Sequence, residues 1–193
     1  MKEDYNLAGW AAIVSAIFFL PIMGLTIYYD LQPDSAAQVG SLLVLVIFLD
    51  FISKIFILYA LLRFRDLLNQ RYQFHAVDHL IVILWVVGVC IGTLAYLVRV
   101  IPDSKVPVLI TGTTLMVLYG VLGIVYATRL LRLPGNLNGL LKPLAYTTIA
   151  GSVCFLVVIL SPLGLALGVA TSVILGLVLL RQKDEELEEL EIV

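Results

Sequence analysis

Long apolar runs, separated by short polar links, make up most of the chain. A helix that crosses about 30 Å of hydrocarbon needs about 20 residues, because each residue adds about 1.5 Å. Four runs have the length and the apolar character for one membrane-spanning helix each: 7–29, 37–62, 77–100 and 106–131. The pattern therefore predicts at least four transmembrane helices.

The last apolar block, 144–180, is longer than one span requires. Ser161, Pro162 and Gly164 interrupt it near its middle, and residues of these types favour a turn or a helix end. We interpret the block as two shorter spans, 144–160 and 163–180. The predicted fold is all-α, with one domain of six transmembrane helices over 1–181 and an acidic cytoplasmic tail over 182–193.

Composition places the chain among integral membrane proteins. Hydrophobic residues fill 61% of its 193 positions, its mean hydropathy is +1.05, and only 13% of its residues are charged. Soluble domains carry about 25% charged residues. This apolar composition predicts that the chain lies in the lipid bilayer. No basic patch in the sequence points to nucleic acid as a partner.

The distribution of Lys and Arg predicts the orientation, because cytoplasmic loops of membrane proteins are rich in both. Six spans put nine basic residues on one side: Lys2, Arg63, Arg65, Arg71, Arg129, Arg132, Lys142, Arg181 and Lys183. Only Arg99 and Lys105 fall on the other side. We therefore expect a multi-pass protein of the cell membrane with both termini in the cytoplasm.

A weak internal repeat relates two parts of the chain. A shift of 69 positions aligns Pro33-Asp34-Ser35 with Pro102-Asp103-Ser104, and Leu61-Leu62-Arg63 with Leu130-Leu131-Arg132. The second and fourth spans then correspond, together with the links that precede them. This correspondence predicts three helical hairpins of parallel orientation.

Asp50 and Lys54 are charged residues inside the second predicted span, one helical turn apart. A charge at bilayer depth costs about 2.5–3.5 kcal/mol on insertion scales, so both should face protein, water or each other. The functional interpretation is an ion or proton site, and the structural one is an i,i+4 pair that neutralises itself. Tyr119 matches Asp50 in the repeat, and its hydroxyl would reach the carboxylate if the second and fourth spans were neighbours.

Two histidines, His75 and His79, lie four residues apart at the start of the third span, with Asp78 between them. On one helical face, this spacing suits zinc or a similar metal. The alternative is a pair of ordinary interfacial side chains, since no further cluster of metal-ligating residues accompanies them.

Small residues recur at four-residue spacing in two spans, where they would let another helix approach closely. They are Gly88 and Gly92 in the third span, and Gly164, Gly168, Ser172 and Gly176 in the sixth. Packing within the chain is one interpretation. The other is an interface with a partner helix or with a second copy of the chain.

Signature motifs of enzymes are missing from the chain, among them the phosphate-binding loop, the Gly-x-Ser-x-Gly elbow and Cys-x-x-Cys. The sequence therefore favours a non-enzymatic protein without a cofactor. The leading hypothesis is an accessory, structural or lipid-contacting subunit of a membrane complex, with a membrane-protein partner or as a homo-oligomer. The alternative is a small ion- or proton-coupled transporter or channel that uses Asp50 and Lys54.

Overall fold

The computed structural model describes residues 5–31, 36–101, 105–134 and 137–191. Within these ranges, the chain forms six α-helices: α1 Tyr5–Leu31, α2 Ala36–Tyr72, α3 Asp78–Val100, α4 Lys105–Leu130, α5 Leu141–Leu156 and α6 Ser161–Glu191. Short 3-10 turns at Leu137–Gly139 and Val158–Leu160 come before α5 and α6. The prediction of an all-α protein is confirmed.

Five stretches of the described chain are long and apolar enough to cross a membrane: Tyr5–Tyr28, Ser41–Tyr72, Asp78–Val100, Lys105–Leu130 and Val158–Arg181. Helix α5 is also apolar, but its 16 residues extend over only about 24 Å. Several helices of this length and composition indicate a multi-pass membrane protein.

The break between α5 and α6 lies earlier than the sequence predicts. Helix α5 ends at Leu156 and α6 begins at Ser161, so the break covers 157–160 rather than 161–164. Pro162 lies in the first turn of α6, where the backbone N–H has no partner within the helix and its loss costs nothing. Pro162 therefore starts the helix instead of forming the turn.

The turn between α5 and α6 is apolar and exposed. It consists of Val157, Val158, Ile159 and Leu160, and Ile159 is 89% exposed. The Val157 N–H donates to the Val153 carbonyl at 3.1 Å, and the Leu160 N–H donates to the Val157 carbonyl at 2.7 Å. These two backbone N–H groups are therefore paired within the chain, as groups that lie against hydrocarbon must be.

Helix α2 continues ten residues beyond its predicted span, which ends at 62, and stops at Tyr72. Its added turns are amphipathic. Phe64, Leu67 and Leu68 are buried, whereas charged neighbours remain partly exposed and form an ion pair, with Arg65 Nη2 3.1 Å from Asp66 Oδ1. Burial of one face explains why the helix does not end where the membrane-spanning pattern ends.

The helices pack in a closed order around the bundle. Helix α1 lies between α2 and α6, α5 lies between α4 and α6, and α3 packs on α4. Helices α2 and α3 make the sparsest contact between neighbours in this order, and α2 also touches α6. The α2–α3 contact is therefore the least filled interface of the ring.

The buried core lies at one end of the bundle, which we call the basic end. This end contains the start of α1, the links before α3 and α5, and Arg181 of α6. Arg129 Nη1 donates to the Ala76 carbonyl at 3.1 Å, and Arg181 Nη1 lies 3.4 Å from the Asn138 carbonyl. Fully buried side chains fill this end, the largest of them being Phe64, Leu68, Ile81, Leu130, Leu137, Leu144 and Leu179.

Candidate functional site

The charged pair of α2 forms as a direct ion pair. Lys54 Nζ lies 2.6 Å from Asp50 Oδ2, and each side chain is 21% exposed. On a helix, residues four apart lie on the same face, so the two charges can meet without help from another helix. The alternative that the pair neutralises itself is therefore compatible with the geometry.

Helix α3 lies against the Lys54 ammonium through Gly92 and Tyr96. The Nζ atom lies 6.0 Å from the centre of the Tyr96 ring, at the outer limit for a cation–π contact. Gly92 faces Nζ so closely that a Cβ atom at this position would overlap it. Tyr96 is also close enough to Asp50 to interact with it electrostatically. Gly92 and Tyr96 are thus part of the site.

The Trp85 indole joins α3 to α2 beside the charged pair. Trp85 Nε1 of α3 donates to the Lys54 carbonyl at 3.1 Å. This contact could not be predicted from the sequence, although Trp85, Gly92 and Tyr96 recur at the spacing of one helical face. Such a face could be recognised only after its neighbour was known to carry Lys54.

A shallow groove, too narrow to hold a water molecule, extends from Tyr96 toward the end of the bundle opposite the basic end. Its lining comes from three helices and consists of Thr26, Leu43, Val46, Tyr96 and Arg99. Leu43 and Val46 share the α2 face of Asp50 and Lys54 by helical periodicity. The charged pair therefore lies below a mostly apolar groove with one guanidinium, Arg99, on its wall.

Tyr119 does not lie at the charged pair. The expected hydrogen bond to Asp50 requires α2 and α4 to be neighbours, and the described residues of these helices do not pack against each other. The Tyr119 ring instead packs edge-on against Phe155 of α5, with 5.4 Å between ring centres, and it also faces Gly88. The repeat aligns two positions of similar depth, but their helices have different neighbours.

A neutral polar contact joins α1 and α2 near the charged pair. Ser15 and Ser53 are buried, their hydroxyl oxygens lie 2.9 Å apart, and each hydroxyl also reaches the other residue's carbonyl, at 3.1 and 3.2 Å. We did not predict this pair from the sequence, because single serines in apolar runs commonly bond to their own helix.

The start of α3 separates the two histidines of the predicted metal site. Helix α3 begins at Asp78, so His75 precedes it and cannot share a helical face with His79. His75 Nδ1 lies 3.1 Å from Asp78 Oδ2, and Asn69 Nδ2 donates to the same oxygen at 3.0 Å. Among the residues that the structure describes, no three His, Cys, Asp or Glu side chains converge as metal ligands.

Most of the small residues lie in contacts within the chain. A Cβ atom at Gly176 would lie 2.7 Å from Ile13 Cγ1 and 2.8 Å from the Gly9 carbonyl oxygen. Gly164 faces α5 in the same way, Gly88 faces Tyr119, and Gly92 faces Lys54. Gly168 is different, because a Cβ atom there would meet none of the described residues within 4 Å. Ser172 donates to the Gly168 carbonyl at 3.0 Å.

The site combines a carboxylate, an ammonium and a phenol inside an apolar bundle. These groups can hold or exchange a small cation or a proton, or they can fix α2 against α3. Comparisons of the chain with models of protein families, with curated proteins and with solved structures returned no match.

Proposed function

We propose that the protein is a non-enzymatic accessory or structural subunit of a membrane complex, which acts through contacts inside the bilayer. The observation that carries this proposal is the packed core of the basic end. Any route for ions through the bundle would have to pass the buried side chains of Phe64, Leu130 and Leu179. A body closed in this way favours packing against lipid or another protein over conduction.

The hydroxyl groups of the helices support the same proposal. Thr93, Thr111 and Thr114 each donate to the carbonyl four residues earlier in their own helix, at 2.9 Å. Thr148 and Thr171 do the same at 2.7 and 2.9 Å. Hydroxyls satisfied locally stabilise helices in hydrocarbon and leave few polar groups for a conducting path.

We further propose that α1 to α6 form three hairpins and that all six helices cross the cell membrane. Both termini would then lie in the cytoplasm, on the side of the basic end. The excess of Lys and Arg at this end supports the orientation. Single cysteines placed in the links between helices that the structure describes would test this orientation. In intact cells, only cysteines outside the cell react with a membrane-impermeant maleimide.

Native mass spectrometry of the protein, extracted gently from its own membrane, tests the accessory role. We expect a second chain in stoichiometric amount. The variant Gly168→Leu places a side chain on the open face of α6, so it should weaken a partner's contact there without disturbing the bundle. Gly112→Leu is the matched control, because this glycine of α4 also faces open space. A lone monomer in every preparation would contradict the accessory role.

Cation-coupled transport is the second candidate function. The specific observation in its favour is that Asp50 and Lys54 remain partly exposed beside a groove, instead of being sealed in the core. Flux of protons, Na⁺ and K⁺ into liposomes would test it. Asp50→Asn should abolish flux while Asp66→Asn, which removes a carboxylate near the basic end, should leave it unchanged. Equal flux in both variants would exclude Asp50 as the coupling group.

A further inference from the structure

The Lys54 ammonium lies in a recess whose walls come from two helices. Asp50 supplies one oxygen at 2.6 Å, and the Tyr96 ring lies 6.0 Å away on α3. The space itself exists because residue 92 is glycine. A Cβ atom there would overlap Nζ and would lie 3.8 Å from Asp50 Oδ2.

These three features are the elements by which proteins recognise an ammonium group. A carboxylate accepts charge-assisted hydrogen bonds from it, and an aromatic face attracts its positive charge. The missing side chain of Gly92 leaves room for a group of this size. At Gly92 the recess also faces the last carbon of the Lys54 stem, because a Cβ atom there would lie 3.3 Å from Lys54 Cε. The recess therefore suits an ammonium group with one attached carbon.

We propose that Asp50, Gly92 and Tyr96 form a binding site for a small monovalent ammonium-type cation. Lys54 occupies this site as a tethered substitute, and a free cation replaces it when the lysine side chain moves away. The stem of lysine has four carbons and rotates freely, and the side chain is partly exposed, so a second position is available to it. The proposal depends on the second candidate function only for the use that the cation would serve.

The positive charge of Arg99 on the groove wall favours monovalent over divalent cations. Arg99 lines the groove that leads to Tyr96, and its guanidinium repels an approaching cation. This repulsion is twice as large for a divalent ion as for a monovalent one. The carboxylate of Asp50 offers a single negative charge, which one monovalent cation neutralises. The site should therefore discriminate against divalent cations.

Chemical rescue of Lys54→Ala by methylammonium tests the site. We expect the variant to lose thermal stability in detergent, and methylammonium chloride to restore it along a saturable curve at constant ionic strength. Tetramethylammonium should not restore it, because four methyl groups exceed the recess. Rescue that fails to saturate, or that is equal in Asp50→Asn/Lys54→Ala, would reduce the effect to general salt stabilisation and overturn the proposal.

Two glycines one turn apart provide a matched pair for the shape of the recess. In the Lys54→Ala background, Gly92→Ala should abolish rescue, because its methyl group enters the recess. Gly88→Ala should keep it, since a Cβ atom there meets Tyr119 at an ordinary 3.6 Å. The same result for both variants would exclude the recess as the binding site.

The wild-type protein gives an independent test that requires no variant to fold. If methylammonium displaces Lys54, acetylation of Lys54 by an amine-reactive ester should increase with methylammonium concentration, as read by mass spectrometry. Exposed Lys105 serves as the internal control for reagent consumption. Unchanged labelling of Lys54 would overturn the displacement. Neither measurement uses flux or a partner chain, so their failure is distinct from failure of the functions proposed above.

Discussion

Different interactions hold the helices together in the two halves of this bundle. At the basic end, large side chains such as Phe64, Leu130 and Leu179 are fully buried among one another. In the other half, Ser15–Ser53 joins α1 to α2, the Asp50–Lys54 pair lies within α2 where it faces α3, and few of the described large side chains are buried. Packing therefore stabilises one half, and paired polar groups contribute more in the other.

The largest effect should come from removing a buried ring at the basic end. Phe64→Ala leaves a cavity that its neighbours cannot fill, and we expect it to lower the free energy of unfolding by about 3–5 kcal/mol. Phe48→Ala is the control, because Phe48 is 59% exposed whereas Phe64 is 0% exposed. Unfolding in sodium dodecyl sulfate would measure both. Similar losses would contradict the difference between the halves.

The second-largest loss of stability should come from disrupting the close backbone contact between α1 and α6 at the basic end. Gly176→Val would drive its side chain into Ile13 and the Gly9 carbonyl, and we expect a loss of about 3 kcal/mol from overpacking. Gly168→Val, two turns away on the same helix, meets open space and should be neutral. Thermal melting of the two variants compares them directly.

An unpaired charge in the other half should lower the free energy of unfolding somewhat less than these two substitutions. Asp50→Asn leaves the Lys54 ammonium without its carboxylate, and because the pair is partly exposed we expect a loss of about 2 kcal/mol. Asp50→Asn/Lys54→Met removes both charges and should recover most of the loss. A double variant as unstable as the single one would show that the pair stabilises α2 against α3 beyond its own neutralisation.

The smallest effect should come from the neutral polar contact. Ser15→Ala deletes one hydroxyl of the Ser15–Ser53 pair, and interhelical hydrogen bonds in membranes contribute about 0.6 kcal/mol on average. Ser172→Ala serves as control, because the Ser172 hydroxyl donates within its own helix, to the Gly168 carbonyl. Steric trapping in bicelles resolves differences of this size. A loss as large as that of Phe64→Ala would remove the predicted difference between the two halves.

Much of the helical framework could be predicted from the sequence, since span length and apolar character depend on local composition. The predicted spans 77–100 and 106–131 differ from α3 and α4 by at most one residue at either end. Neighbour relations could not be predicted in the same way. Tyr119 has the same depth as Asp50 in the repeat, yet its partner is Phe155, because sequence periodicity does not determine which helices meet.

The site residues show the same limit. Asp50 and Lys54 can be recognised as candidate site residues from the sequence alone, because charges are costly in hydrocarbon. Tyr96 and Gly92 do not, since a tyrosine near a helix end and a glycine in an apolar run are ordinary in membrane helices. Their role depends on the distance to Lys54 across the α2–α3 contact, and this is a property of packing.

The apolar turn between α5 and α6 has a consequence for the surrounding lipid. Helix α5 measures about 24 Å against about 30 Å of hydrocarbon, so a bilayer of ordinary thickness would exceed it. Ile159 at the turn is too apolar to favour water. If α5 crosses the membrane as we propose, the lipid beside it becomes thinner or the ends of the helix lie below the membrane surface. Such hydrophobic mismatch would direct the protein toward thinner membranes.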